Sequence, residues 1–373
     1  MLIFDAHLDL AMNAMESNRD LTQPVPAIRR REAALTDKPD RGRGTVSLPE
    51  MRRGGIGLCV ATQIARFVKP SNPLAGWHSP AQAWAHTQGQ LAWYRAMEAA
   101  GELSPITDSK TLRQQLDRWS MWTDGAPQAS VPGAAQAERP PAVGYLLSLE
   151  GADSLLTLRH LELAYQQGLR AVGPAHYGPG TYAQGTNATG GIGARGRELL
   201  QEMERLGLIL DVTHLCDESF WESVDLFRGR LWASHSNCRA LVPHPRQLAD
   251  EQIRHLIGRG AVIGCALDAW MLVPNWVRGQ ITPASANLQL ERLVDHIDHI
   301  CQIAGNARHV GLGSDLDGGF GREQTPADVE TIADLGRLPV LLKARGYGEE
   351  DMRQIAHGNF LRFLTETWSR QGI

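Results

Sequence analysis

The chain has 373 residues, of which 43% are hydrophobic and 21% are charged, a composition typical of a globular protein with a large core. Its net charge is −4 and its pI about 6.4, and its basic run at residues 29–31 is short, which argues against a nucleic-acid partner. No apolar run is long enough to span a bilayer, and the N-terminus lacks a signal-peptide pattern, so we expect no membrane association.

The five cysteines are odd in number and none forms a Cys-x-x-Cys pair. Four of them lie in or beside apolar runs, which favours free, buried thiols in a reducing compartment. We therefore expect a cytoplasmic protein.

Eight short apolar runs rich in Val, Ile, Leu and Gly have the character of buried parallel strands, and helical patterns separate most of them. A strand–helix alternation that reaches eight predicts a TIM-like (β/α)8 barrel, here as a single domain over residues 1–373. The predicted strands are residues 2–5, 56–63, 143–149, 169–173, 208–212, 231–234, 261–267 and 310–314.

Two insertions interrupt the alternation, after the first and second strands. Residues 12–48 are polar and predict a long loop with room for one helix, and residues 66–142 form a larger insertion. Within the larger one, residues 124–141 are of low complexity and predict an exposed loop. Helices are predicted at residues 80–100, 108–119, 196–206, 250–257 and 288–303, and two C-terminal helices, at 326–342 and 349–367, close the structure.

The first strand runs into His-x-Asp. In an extended chain alternate residues point to the same side, so His7 and Asp9 can present an imidazole and a carboxylate to one point just past the strand end. Such ligands suit zinc or a similar divalent metal. The pair alone is short and common, and Asp9 as a helix cap beside an ordinary loop histidine is the alternative.

Other strand ends extend the pattern. The third strand is followed by Glu150, the fourth by His176, the fifth by His214, the sixth by His235 and the eighth by Asp315. In a parallel barrel the carboxyl ends of all strands lie on one rim, and that rim holds the active site. Histidines and acids at the same end of several strands therefore indicate a ligand set.

This set is too large for one catalytic zinc, which takes three protein ligands. It fits two metals with Glu150 between them, since each carboxylate oxygen can bind one ion. One ion would take His7, Asp9 and Glu150, and the other Glu150, His214 and His235. Two such ions about 3.5–4 Å apart can hold a shared hydroxide as a nucleophile. Asp315 is then free to act as general base and acid, and His176 to donate to an oxyanion, which predicts metal-assisted hydrolysis of an amide or ester.

The chain resembles the membrane dipeptidase (renal dipeptidase, peptidase M19) family of the amidohydrolase superfamily. The resemblance rests on an ordered set of motifs: Asp-Ala-His-Leu-Asp-Leu at 5–10, Ser-Leu-Glu-Gly at 148–151, Asp-Val-Thr-His at 211–214, Ser-His-Ser at 234–236, Gly-Leu-Gly-Ser-Asp-Leu-Asp-Gly at 311–318 and Gly-Asn-Phe-Leu-Arg at 358–362. It implies a TIM-like barrel, two Zn²⁺ ions (other divalent metals are alternatives) and hydrolysis of dipeptides, L-Xaa-L-Xaa or L-Xaa-D-Xaa.

The resemblance also implies site residues. The metal ligands map onto His7, Asp9, Glu150, His214 and His235, the catalytic aspartate onto Asp315 and the substrate-side histidine onto His176. An arginine that holds the substrate carboxylate maps onto Arg246, with Arg239 as the competing candidate. Residues 176–187 and residues 269–274, the latter with Trp270, differ from the renal form and should border the substrate.

Two other functions stay open: an amidohydrolase that cleaves another amide or ester, such as an N-acyl amino acid or a lactone, and a non-catalytic barrel. We also expect a homodimer. His296 and His299 are interpreted as a solvated helix face, and Asp317 as a cap of the following turn.

Overall fold

The computed structural model describes residues 1–69, 74–125 and 140–372, with residues 122–125 described by their backbone only. Eight parallel strands follow one another in chain order around a nearly closed barrel, so the predicted fold is confirmed. Every predicted strand is present; the strand at residues 169–173 has the predicted bounds, and the others have shifted ends. The barrel strands are β1 (Ile3–Leu8), β2 (Ile56–Ile64), β4 (Val143–Glu150), β5 (Leu169–Gly173), β6 (Ile209–Asp211), β7 (Leu231–Trp232), β8 (Ile263–Cys265) and β9 (Val310–Leu312).

The barrel closes between β7 and β8 through a short parallel bridge. Ala233 pairs with Ile263, and the Gly264 amide donates to the Ala233 carbonyl over 2.8 Å. The backbones approach closely here: a Cβ on Gly264 would lie 2.0 Å from the Ser234 carbonyl oxygen, and one on Gly313 1.8 Å from the same atom. Only glycine fits these two positions, which lie directly beside His235.

The amino-terminal half of the barrel interior is filled by apolar side chains. Phe4 of β1 stacks on Phe360 with ring centroids 5.1 Å apart, and Trp232 of β7 lies 5.4 Å from Phe363. Both Phe360 and Phe363 belong to the last helix, α14 (Asn359–Gln371). This helix therefore covers the barrel end opposite the carboxyl ends of the strands.

Strand β1 extends further than predicted and contains His7 instead of ending before it. Phe4 and Ala6 belong to the interior cluster, but Leu8 belongs to the outer core. Between Asp5 and Leu8 the pairing with β2 shifts register, which reverses the alternation of the side chains. His7 consequently faces the rim of the barrel interior.

The first insertion holds more helix than predicted, and the second contains a strand that was not predicted. This strand, β3 (Leu103–Pro105), pairs with the start of β4 outside the barrel order. Most of the predicted 124–141 loop lies outside the described residues. The helices are α1 (Leu10–Glu16), α2 (Val25–Glu32), α3 (Leu48–Arg53), α4 (Pro80–Ala99), α5 (Ser109–Gly125), α6 (Leu158–Gln166), α7 (Gly193–Leu206), α8 (Asp217–Leu226), α9 (Asp250–Gly258), α10 (Ala269–Leu272), α11 (Glu291–Ala304), α12 (Leu338–Ala344), α13 (Glu349–Arg353) and α14.

The two C-terminal helices differ from prediction. The first starts only at Ile332, as a 3₁₀ turn to Arg337, because the Thr331 side chain caps Ala333 there. The second is divided by a π-helical turn, Gln354–Gly358, between α13 and α14. The helical pattern predicts the segments but not these local changes of winding.

The prediction of a solvated His296–His299 face is wrong for His296. His296 is fully buried on α11, and its Nδ1 accepts a hydrogen bond of 3.1 Å from the Cys238 amide. His299 is partly exposed and bonds Asp250 at 2.9 Å. The prediction of free, buried thiols holds for all five cysteines. Among the described residues, no helix is long and apolar enough to cross a bilayer.

Candidate active site

The five predicted metal ligands converge at the carboxyl ends of four strands. The carboxylate of Glu150, the last residue of β4, lies at the centre. One oxygen is 3.6 Å from His7 Nε2, and the other is 3.3 Å from His214 Nε2 and 3.5 Å from His235 Nε2. Asp9 Oδ1 lies 3.8 Å from His7 Nε2. The carboxylate of Glu150 thus has histidines on both oxygens, the arrangement expected of a bridging ligand.

Hydrogen bonds orient His214 and His235, the two histidines predicted to bind the second metal ion. His214 Nδ1 lies 2.9 Å from Thr186 Oγ1, and His235 Nδ1 lies 2.9 Å from Ser234 Oγ. Each ring therefore presents its Nε2 to the centre, as a metal-binding histidine does when its other nitrogen is held. His214 adopts a left-handed backbone conformation, with φ of 71°, which is uncommon for a residue other than glycine.

A hydrogen bond also orients Asp9. Thr62 Oγ1 donates to Asp9 Oδ1, so the Asp9 side chain faces His7 rather than capping α1. Burial raises the pKa of Glu150 to about 7, with Asp9 adding to the effect and His7 opposing it. Burial lowers the pKa of His7, but Glu150 and Asp9 raise it more, to about 10. The carboxylates of Asp9 and Glu150 therefore concentrate negative charge around His7, an environment that suits cations.

His176 lies beside this cluster, with its Nε2 3.9 Å from Glu150 Oε1. Its Nδ1 accepts a hydrogen bond from the Arg66 guanidinium. Because arginine can only donate, the proton of the neutral imidazole lies on Nε2. Burial, followed by the charges of Arg66 and Arg246, lowers the pKa of His176 well below its usual value. The ring is therefore a neutral donor aimed at the cluster.

Of the two arginines proposed to hold a carboxylate, Arg246 lies at the site. It is buried, donates to the His235 carbonyl over 2.8 Å, and its guanidinium lies 3.3 Å from His214 Nε2. Arg239 instead forms a bidentate ion pair with Asp217, in which two guanidinium nitrogens donate to the two carboxylate oxygens over 2.7 and 2.8 Å.

A cavity of about 140 Å³ opens onto four of the five predicted ligands (Asp9, Glu150, His214 and His235) and onto Arg246, His176 and Asp315. We call it the site cavity. Trp270, on the short helix α10, forms part of its wall, and its ring packs against His244 with centroids 4.8 Å apart. A larger groove of about 610 Å³ lies along α11, away from the ligands.

Two residues of the site were missed from the sequence, Arg66 and Asp268, whereas Tyr177 lies in the stretch 176–187 that was predicted to border the substrate. Tyr177 and Asp268 line the site cavity, and Arg66 orients His176. Arg66 follows β2 and Asp268 follows β8, so the same rule about strand ends could have found both.

Asp315 lies in the loop after β9, with Oδ1 3.7 Å from His7 Nε2. Its backbone is left-handed, with φ of 56°. Burial raises its pKa well above the usual value, with His7 opposing and Asp9 and Glu150 adding to the rise.

The prediction that Asp317 caps the following turn is wrong. Its carboxylate accepts hydrogen bonds from the amides of Thr45 and Val46, far away in the sequence.

The family model described as membrane dipeptidase (peptidase family M19) matches residues 1–371. The chain belongs to this family. A member of the M19 family is a metallo-dipeptidase, and the family implies a divalent metal. The candidate metal-binding groups among the described residues are His7, Glu150 and His235; Glu150, His176 and His214; and His7, Asp9 and Asp315. They contain all five predicted ligands but divide them differently from the two predicted sets, and they add His176 and Asp315.

Similar proteins extend over much of this M19 chain. A Klebsiella pneumoniae protein from the pqqA 5′ region is 32% identical over 220 residues, which cover 57% of this chain and 77% of that protein. The solved structure of the M19 metallopeptidase "dipeptidase AC" superposes with a TM-score of 0.75 at 23% identity, covering 99% of both chains. A metallopeptidase from Rhodobacter sphaeroides, liganded with a phosphinate mimic of L-Ala-D-Ala, superposes with a TM-score of 0.73 at 23% identity, also over 99% of both chains.

Proposed function

We propose that this member of the family is a dipeptidase with two zinc ions that hydrolyses L-Xaa-L-Xaa or L-Xaa-D-Xaa dipeptides. The observation that carries the proposal is the position of Glu150, whose two oxygens face different histidines beside a buried arginine. The phosphinate mimic of a dipeptide bound by the Rhodobacter relative supports the choice of substrate.

The donor set fits two divalent ions. His7 Nε2 is buried and has no hydrogen-bond partner among the described residues, although three carboxylates lie within 4 Å of it. A buried nitrogen in such surroundings suits a cation. His7, Asp9 and Glu150 would hold one ion, and Glu150, His214 and His235 the other. When bound, the ions would supply a nucleophilic water at neutral pH and polarise the scissile carbonyl.

Asp315 would move the proton. It lines the site cavity on the side of His7, so it can take a proton from the attacking water and return it to the leaving amide nitrogen. Its raised pKa suits a group that must hold this proton between the two steps.

His176, Arg246 and Trp270 would bind the substrate. The Nε2–H of His176 can donate to the carbonyl oxygen as negative charge develops there. The buried guanidinium of Arg246 suits the carboxylate at the C-terminal end of a dipeptide. Trp270 would contact a substrate side chain from the cavity wall.

The test is hydrolysis of a panel of dipeptides by zinc-loaded protein and by Asp315→Asn. We expect metal-dependent release of amino acids by the wild type, and a variant that binds zinc normally but loses turnover. N-acyl amino acids and lactones belong in the panel as the alternative substrates. Cleavage of these alone would refute the dipeptidase proposal, and full activity of Asp315→Asn would refute the role of the base.

A further inference from the structure

Asp268 is a buried carboxylate of the site cavity that the proposed chemistry does not use. It lies three residues after the end of β8, is 7% exposed and lines the same cavity as Arg246 and Asp315. Its Oδ1 is buried without a hydrogen-bond partner among the described residues. An unpaired buried carboxylate oxygen costs free energy, so its presence in a cavity that receives a ligand calls for an explanation.

The other carboxylates of the cavity already have roles. Asp9 and Glu150 face the histidines, and Asp315 lies next to His7, whereas Asp268 is absent from the candidate metal groups found among the described residues. Burial raises the pKa of Asp268 to about 7, and contacts with Trp270 and the charge of Arg278 lower it in part. A cation entering the cavity would favour the charged carboxylate.

The cavity is therefore lined by a cationic side chain, Arg246, and by a separate acidic side chain, Asp268. Arg246 donates to the His235 carbonyl beside the predicted metal ligands, whereas Asp268 lies at the N-terminus of α10. The two groups thus have different surroundings within one cavity. A free dipeptide carries an ammonium and a carboxylate on opposite sides of its single amide, so it can present one charge to each of these groups.

We propose that Asp268 binds the free α-ammonium group of the substrate while Arg246 binds the carboxylate, so that the amide lies over the metal ligands. The assignment rests on the proposed function and makes the enzyme selective for dipeptides with an unblocked N-terminus. Selectivity of this kind arises because a blocked amine would leave the carboxylate of Asp268 buried and unpaired.

A structural role is the competing explanation, because Asp268 occupies the N-cap position of α10. The variant Asp268→Asn distinguishes the two. Asparagine caps a helix as well as aspartate and has nearly the same shape, but it lacks the charge that would attract an ammonium group. The exposed Asp225→Asn on α8 is the matched control.

The experiment measures kcat and KM for L-Ala-D-Ala and for its N-acetyl derivative, with wild type, Asp268→Asn and Asp225→Asn, all zinc-loaded. We expect the wild type to prefer the free dipeptide. In Asp268→Asn, KM for the free dipeptide should rise about 10- to 100-fold, the effect of losing a charge-assisted hydrogen bond. KM for the N-acetyl substrate should not rise in Asp268→Asn, and the control variant should match the wild type with both substrates.

Calorimetric binding of a phosphinate analogue of L-Ala-D-Ala, with a free or an acetylated amine, gives a second readout. Tighter binding of the free amine by the wild type, lost in Asp268→Asn, supports the assignment even if turnover of every dipeptide fails and the proposed function falls. Equal affinity for both analogues, or equal losses for both substrates in Asp268→Asn, would overturn the role of Asp268 and leave the dipeptidase proposal standing.

Discussion

Replacing Asp317 by asparagine tests whether a buried network holds the loop that carries Asp315. The Asp317 carboxylate accepts hydrogen bonds from the Thr45 amide and hydroxyl, each at 2.7 Å, and from the Val46 amide at 3.0 Å. Arg19 lies 3.6 Å away and is itself fully buried. The loop after β9 is thus fastened to the first insertion.

The expected loss follows from these contacts. Asparagine would place an amide group against backbone donors and remove a negative charge that faces Arg19. Removing one partner of a buried ion pair costs about 3–5 kcal/mol. Arg19 keeps its closer partners Glu32, at 2.9 Å, and Asp40, at 2.7 Å. We therefore expect the lower end, about 3 kcal/mol, a large share of the stability of a typical domain.

Equilibrium unfolding in urea, followed by tryptophan fluorescence, measures this loss. Asp225→Asn serves as the control, since substitutions at exposed positions change stability by about 0.5 kcal/mol or less. A decrease below about 1 kcal/mol for Asp317→Asn would refute the reasoning, because it would show that the network contributes no more than an ordinary surface contact. Dipeptide turnover should also fall, since Asp315 lies two residues away.

Three further predictions follow from other contacts. Thr186→Val removes the partner of His214 Nδ1 and should weaken zinc binding about 10- to 100-fold in competition with a chelator; an unchanged affinity would contradict the orienting role. Arg246→Lys should raise KM for dipeptides with little change in kcat. With substrates whose C-terminus is amidated, the wild type and the variant should have the same KM. Burial lowers the pKa of His296 to about 3, below its value of 6.5 in the unfolded chain. The neutral ring therefore stabilises the fold above pH 6.5, and this stabilisation is lost as the pH falls from 6.5 towards 3. The unfolding free energy should drop by about 2 kcal/mol from pH 7 to pH 5 on this account. His296→Gln should lack that component, and equal pH slopes for the two proteins would disprove it.

The barrel was predictable because buried parallel strands are continuous apolar runs with helices between them. The irregular parts of the fold could not be predicted from the sequence. The register shift between Asp5 and Leu8 depends on pairing with β2, and β3 is too short for a pattern of its own. The burial of His296 depends on the Cys238 amide, which lies 58 residues away.

The site was predictable where the rule of strand ends applies. His7, Glu150, His214 and His235 follow from that rule, and the structure brings them together. Asp268 obeys the same rule and was overlooked. Asp317 could not have been understood from sequence, since its partners Thr45 and Val46 come from a distant insertion.

Titration of the metal-free protein with zinc tests the central claim most directly. The rate of L-Ala-D-Ala hydrolysis is followed as zinc is added, and bound zinc is counted in the same samples. We expect activity to rise until two ions are bound per chain and to vanish with a chelator. Full activity with one ion, or hydrolysis without any, would contradict a site in which Glu150 bridges two metals.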